Sequence, residues 1–309
     1  MRAAYLEKQA GPEALVIGEI PRPRPGPDEV LVKVHATAVM PTELHWVPTF
    51  STPSGLPRTF PVVLSHEFSG VVAEVGASVS AWRAGEDVYG LNDWFINGAQ
   101  AEYCVVSAAA LARKPRSLDH NRSAVVPISA LTAWQGLFEK TNLERGQRVL
   151  IHGAAGGVGT FAVQLAAWRG AYAIATASSV NVEFARSLGA HEVIDYRATP
   201  FDRVVKDVDV VFDSVGGDVL ARSWSVLKTG GKLVTIVGEK FDSPDRRVRD
   251  AFLLVRADGT QLTEIANLID AGRLRVFVAA VFPLTRVRDA FAQAQQGGNR
   301  GKVALQVGN

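Results

Sequence analysis

Arg148 to Gly159 reads RVLIHGAAGGVG, and the order of residue types in it sets the architecture of half the chain. Val149, Leu150 and Ile151 form a short aliphatic run, as in a strand buried on both faces. Ala154, Gly156 and Gly159 follow in the spacing of a dinucleotide fingerprint, with alanine in the first glycine place. In such a motif Gly156 lets backbone approach a pyrophosphate and Gly159 lets the helix pack tightly on the strand. The helix N-terminus then offers unpaired N–H groups to the anion. Taken alone the motif also fits an ordinary tight turn, so its flanks decide the reading.

Downstream, strands and helices alternate. Strands are expected at 172–177, 192–196, 208–215 and 232–237, with 252–256 as a candidate sixth, and helices at 157–169, 181–188 and 219–227. This rhythm predicts a parallel, doubly wound sheet whose ligand lies outside the carboxyl ends of the strands. Residues 1–122 read differently, as mainly β, with runs at 14–20, 29–36, 68–75, 87–90 and 99–106 between Pro and Gly punctuation. After residue 257 come two helix–strand pairs, too short for a domain of their own and expected to complete the N-terminal β domain. The predicted division is therefore 1–122 with 257–309, and 123–256.

The composition, 47% hydrophobic and 21% charged over 309 residues, suits two globular domains with ample core. A net charge of +2 without a basic block argues against a nucleic-acid partner. The absence of an apolar leader or an 18-residue apolar run leads us to expect a cytoplasmic protein without a membrane span. Cys104 is the only cysteine, which excludes an intramolecular disulfide and a cysteine-rich zinc site.

Six motifs, in order, carry a family resemblance: HEFSGVVAEVG at 66–76, ALTAW at 130–134, GAAGGVG at 153–159, SLGAHEVIDY at 187–196, DSVGG at 213–217 and RGKVALQV at 300–307. Over essentially its whole length the chain resembles the zinc-independent quinone oxidoreductase branch of the medium-chain dehydrogenase/reductase superfamily. The resemblance implies an α/β protein, a GroES-like β-rich catalytic domain wrapped around a Rossmann domain, with the active site in the interdomain cleft. It implies hydride transfer from NADPH to a small apolar quinone, enone or enal, in a homodimer. Ala155, Gly156, Gly157, Val158 and Gly159 would hold the pyrophosphate, and Val215, Val237, Gly238, Phe252 and Leu254 would line the cofactor. Thr132 would face the nicotinamide, with a helix-start cap as its alternative role.

An NAD site places an acid at the end of the second strand, about 20 residues beyond the glycines. Here YAIATAS ends at Ser178, with Ser179 next. A carboxylate there would repel a 2′-phosphate, whereas hydroxyls can donate to it, so NADP(H) is the expected cofactor. Tyr196 is a candidate stack on the adenine side, and Arg197 is either a phosphate ligand or a plain surface charge.

Zinc-dependent relatives draw catalytic ligands from three places, which in this chain hold Met40, His66 and Ile128. Thioether and aliphatic groups do not replace the thiolate and imidazole ligands of Zn²⁺, so no catalytic zinc is expected. Zinc-free relatives commonly carry Asn and Asp where Met40 and Glu67 stand. Thr42 and His45 keep the positions that relay protons in zinc alcohol dehydrogenases. Thr42, His45 and His66 are thus the catalytic candidates, able to supply a proton to the oxygen of a reduced substrate; a structural role beside Glu67 is the alternative for His66. Trp46, Trp94 and Phe95 either line an apolar substrate slot or plug the core. Two other readings stay open: a zinc-type alcohol dehydrogenase acting on C=O or C–OH, and a cofactor-binding protein with little turnover.

Overall fold

Proline and glycine punctuation in the first third of the chain separates eight strands: β1 (Arg2–Leu6), β2 (Val16–Glu19), β3 (Glu29–Ala38), β4 (Val62–Val63), β5 (Glu67–Val75), β6 (Asp87–Leu91), β7 (Tyr103–Ser107) and β8 (Leu111–Arg113). The computed structural model describes residues 1–237 and 243–308. Contacts divide the chain into two units, Met1–Ile128 with Ala257–Asn309, and Ser129–Arg256.

In the β-rich unit β3 is the organising strand, pairing antiparallel with both β5 and β7. Its Val30, Val32 and Val34 are buried among Phe68, Val72, Val88 and Val106, the alternation a strand presents to one face. Residues 99–102 do not extend β7. The Gln100 carbonyl accepts from Ala4 and the Gln100 amide donates to Leu64, so these backbone groups are spent on other partners.

The second unit holds β9 (Arg148–Ile151), β10 (Tyr172–Ala177), β11 (Glu192–Asp195), β12 (Val208–Asp213) and β13 (Leu227–Thr235), all parallel, in the order β11-β10-β9-β12-β13. Central β9 is buried on both faces, with Val149, Leu150 and Ile151 at 0% exposure. Helices Gly157–Arg169, Val182–Ser187 and Gly217–Ser223 connect successive strands. The candidate sixth strand does not form. Phe252 makes a single bridge to Thr235, and the Gln135 side-chain amide then takes both backbone groups of Arg256, replacing a strand ladder.

The tail returns to the β-rich unit as β14 (Val278–Pro283) and β15 (Lys302–Gln306), with β15 antiparallel to β3 and Ala304 opposite Ala38. None of the described helices is long and apolar enough to cross a membrane.

Two histidines, one in each unit, are expected to cost the fold stability in acid. His152 is buried, with Nδ1 against Thr176 Oγ1 at 3.1 Å and Nε2 against Ser223 Oγ at 3.0 Å. Ser223 donates its own proton to the Val219 carbonyl, so the ring carries its proton on Nε2 and accepts from Thr176. In the other unit His120 stacks on His35 at 4.5 Å. Burial pushes both His152 and His120 down to about 4; Asp213 opposes and Arg222 adds to the shift at His152, and His35 adds to that at His120. The unfolded chain binds these protons below about 6.5 and the folded chain only near 4, so stability falls as pH drops through that window. The shift at His152 amounts to ~3 kcal/mol at full expression, and that at half-buried His120 contributes less because solvent screens it. A melting temperature that declines steadily from pH 7 to pH 4.5 is expected; a flat profile contradicts the assignment.

Candidate functional site

In the parallel-sheet unit the carboxyl ends of β9, β12 and β13 converge. The sharp turn after β9 is made by Gly153, at φ +74°, and not by Ala154, which stood in the first place of the fingerprint. A side chain cannot adopt that backbone cheaply, and a Cβ on Gly153 would also fall 2.5 Å from Ser214 Oγ. Helix Gly157–Arg169 starts after Gly156 without a side-chain cap, leaving its first-turn amides to an anion. A Cβ on Gly156 would meet only the Gly153 carbonyl, at 3.4 Å, so the loop presents bare backbone there. These features fit the pyrophosphate of a dinucleotide.

Around this turn stand residues that sequence reasoning named only as a motif or missed. The buried Asp213 carboxylate accepts from the amides of Val215 at 3.0 Å and Gly216 at 3.1 Å, and from Thr235 Oγ1 at 2.8 Å. It thereby ties the end of β12 to the end of β13. Val215, Val237 and Leu254 are exposed apolar side chains of the same unit, and Phe252 is half-buried beside Thr235. Thr132 is buried within helix Pro127–Trp134 rather than at its start. Gly238 lies outside the described residues.

At the end of β10, Ser178 Oγ accepts from Asn181 Nδ2 at 3.3 Å. Ser179 Oγ instead donates to Asp195, an acid that no sequence signal marked. That hydroxyl and the Arg197 amide hold the Asp195 carboxyl below the usual carboxylate range. Tyr196 is exposed, with the Arg197 guanidinium 5.9 Å from its ring centroid.

In the β-rich unit the turn Pro41–His45 is a 3₁₀ helix. Three residues per turn put Thr42 and His45 on one face, and both are exposed, while Glu43 and Leu44 are buried. Ser65, at φ +66°, turns its amide onto both Glu43 carboxylate oxygens, at 2.9 and 3.0 Å. The next residue, His66, is buried between Glu43 Oε1, 3.0 Å from Nε2, and Asn92 Oδ1, 2.9 Å from Nδ1. Both ring nitrogens are engaged, so His66 is a clamp within the unit and has no ring N–H to spare for a substrate oxygen. Trp94 packs edge-on against both His66 and Trp46, at 5.1 Å each. Trp94 is buried, while Trp46 and Phe95 are half-buried.

Glu67, wholly buried, pairs with Lys302 and accepts from the Ile128 amide at 2.9 Å. Among the described residues no three His, Cys, Asp or Glu side chains gather into a group able to hold a metal ion.

Comparison with known proteins matches two stretches of the chain to family models. Residues 26–116 match the model of the alcohol dehydrogenase GroES-like domain, and residues 188–305 that of a zinc-binding dehydrogenase family. The NAD(P)H oxidoreductase RTN4IP1, mitochondrial, of Mus musculus is 33% identical, over 91% of this chain and 82% of its own. The 2-methylene-furan-3-one reductase of Solanum lycopersicum is 30% identical, over 90% and 71%. Among solved structures, the quinone oxidoreductase from Coxiella burnetii superposes with a TM-score of 0.90 at 29% identity, covering 100% of this chain and 99% of that one.

Proposed function

The chain belongs to the medium-chain dehydrogenase/reductase superfamily as a quinone-oxidoreductase-like member, and we propose from that premise that it reduces a small apolar quinone, enone or enal with NADPH, without zinc. When bound, the nicotinamide supplies the hydride. The chain's own residues hold, orient and protonate. The bare loop from Gly153 to Gly159 and the uncapped first helical turn bind the pyrophosphate. Val215, Val237, Phe252 and Leu254 give the cofactor an apolar bed. Thr42 Oγ–H and the His45 imidazole, on the exposed face of their turn, are the groups that hold a proton for the substrate oxygen.

The observation that carries the zinc-free reading is the clamp on His66. Asn92 Nδ2 donates to the Asn97 carbonyl at 3.2 Å, which turns Oδ1 toward Nδ1, while Glu43 faces Nε2. Nδ1 is thus spent on Asn92, and the Glu43 carboxylate stands 3.0 Å from Nε2, where a metal would otherwise meet that nitrogen. With Met40 and Ile128 in the other two ligand places, no set of donors suits Zn²⁺.

NADPH is favoured by the lack of an acid at the end of β10 and by Arg197, whose guanidinium is in no ion pair among the described residues. The test is oxidation of NADPH and NADH against a panel of quinones, enals, enones, alcohols and saturated aldehydes. Turnover confined to quinones and activated C=C, with NADPH ahead, is expected. Turnover confined to alcohols and aldehydes overturns the substrate class, and exclusive use of NADH overturns the cofactor.

A further inference from the structure

β11 runs parallel to β10 with Ala177 opposite Asp195. The last residue of the third strand therefore lies beside the point where the second strand gives way to Ser178 and Ser179. From that point an acid takes the ribose 2′-hydroxyl in NAD sites, and in this chain the second strand supplies none. Ser179 Oγ is bonded to Asp195 Oδ2, and the Arg197 amide donates to Oδ1 at 3.0 Å.

A serine hydroxyl has one proton to donate and two lone pairs. With its proton given to Asp195, Ser179 is left as an acceptor, able to receive a 2′-hydroxyl and unable to donate to a 2′-phosphate. The carboxylate behind it adds like-charge repulsion against that phosphate, damped by solvent. The Arg197 guanidinium, two residues along on the same exposed surface, acts in the opposite sense.

We propose that Asp195 is a specificity-determining residue for the 2′ position of the cofactor, bringing from the third strand the charge that the second strand lacks. NADPH preference is thereby restrained and NADH is used alongside it. The proposal rests on the reading of this unit as a nicotinamide dinucleotide site.

The experiment titrates 2′,5′-ADP and 5′-ADP calorimetrically into the full chain and its Asp195→Asn, Asp195→Ala and Arg197→Ala variants. The ratio of the two affinities is expected to move about tenfold toward 2′,5′-ADP in both Asp195 variants and to fall in Arg197→Ala. The NADPH to NADH ratio of kcat/KM should follow in the same direction. Asp195 is at the surface end of its strand, and unchanged circular dichroism checks that each variant folds. Ratios within twofold of the parent in both Asp195 variants overturn the proposal. A parent that refuses 2′,5′-ADP while the Asp195 variants accept it supports this proposal and overturns the NADPH reading instead.

Discussion

Gly159→Ala is expected to weaken NAD(P)H binding on the order of 100-fold, the largest single effect of any substitution outside the hydrophobic cores. A Cβ at this position falls 2.1 Å from the Gly153 carbonyl oxygen and 2.8 Å from the Ala154 Cα. Both obstacles are backbone, so no side-chain rotation relieves them, and the helix start must move away from the turn. The Gly153 carbonyl also accepts the Gly156 amide at 3.0 Å, so displacement there loosens the loop that holds the pyrophosphate. Overpacking of this kind lowers stability by ~1–3 kcal/mol. Gly156→Ala is the informative partner, since its Cβ meets nothing nearer than 3.4 Å. It should keep the melting temperature and lose cofactor affinity only. Quenching of tryptophan fluorescence by NADPH reads both variants; Gly159→Ala binding within threefold of the parent contradicts the loop assignment.

Lys302→Met is expected to cost ~3–5 kcal/mol of folding stability at pH 8, because it strands a buried carboxylate. Burial pushes the Glu67 carboxyl above its usual value, while Lys302 and the Ile128 amide pull it back. Without the lysine only protonation relieves Glu67. Its folded value then lies well above the unfolded value near 4.5, so the variant loses stability as pH rises through that interval. Urea midpoints of parent and variant should converge toward pH 5 and separate by pH 8. Glu67→Gln combined with Lys302→Met should recover much of the loss, since no buried charge remains. A loss independent of pH would show that Lys302 acts through its aliphatic stem and not through Glu67.

The parallel sheet was legible because its central strands are buried on both faces and write themselves as aliphatic runs, β9 most plainly. The boundaries that went astray are those where a long-range partner competes for the backbone. Gln135 takes the amide and carbonyl of Arg256 from a sixth strand, and Leu64 and Ala4 take those of Gln100 from β7. No periodicity reports such pairings. The glycine fingerprint located the loop but not its pivot, because spacing does not say which residue needs a positive φ, and Gly153 rather than Ala154 does. Thr42 and His45 were legible only through the family resemblance, and the 3₁₀ turn that sets them on one face came from the structure. Glu43 and Asn92, which decide what His66 is able to do, come from other elements. Asp195 was hidden for the same reason: it reaches Ser179 only through the register of β11 on β10.

Metal content and turnover measured on one sample test the central claim most directly. Protein dialysed against a strong chelator is assayed for zinc by mass spectrometry and then for NADPH oxidation with a simple quinone and an enone. Full turnover at zinc well below one atom per chain is predicted. Stoichiometric zinc that resists the chelator, or activity lost with the metal and restored by adding it back, would contradict hydride transfer without zinc.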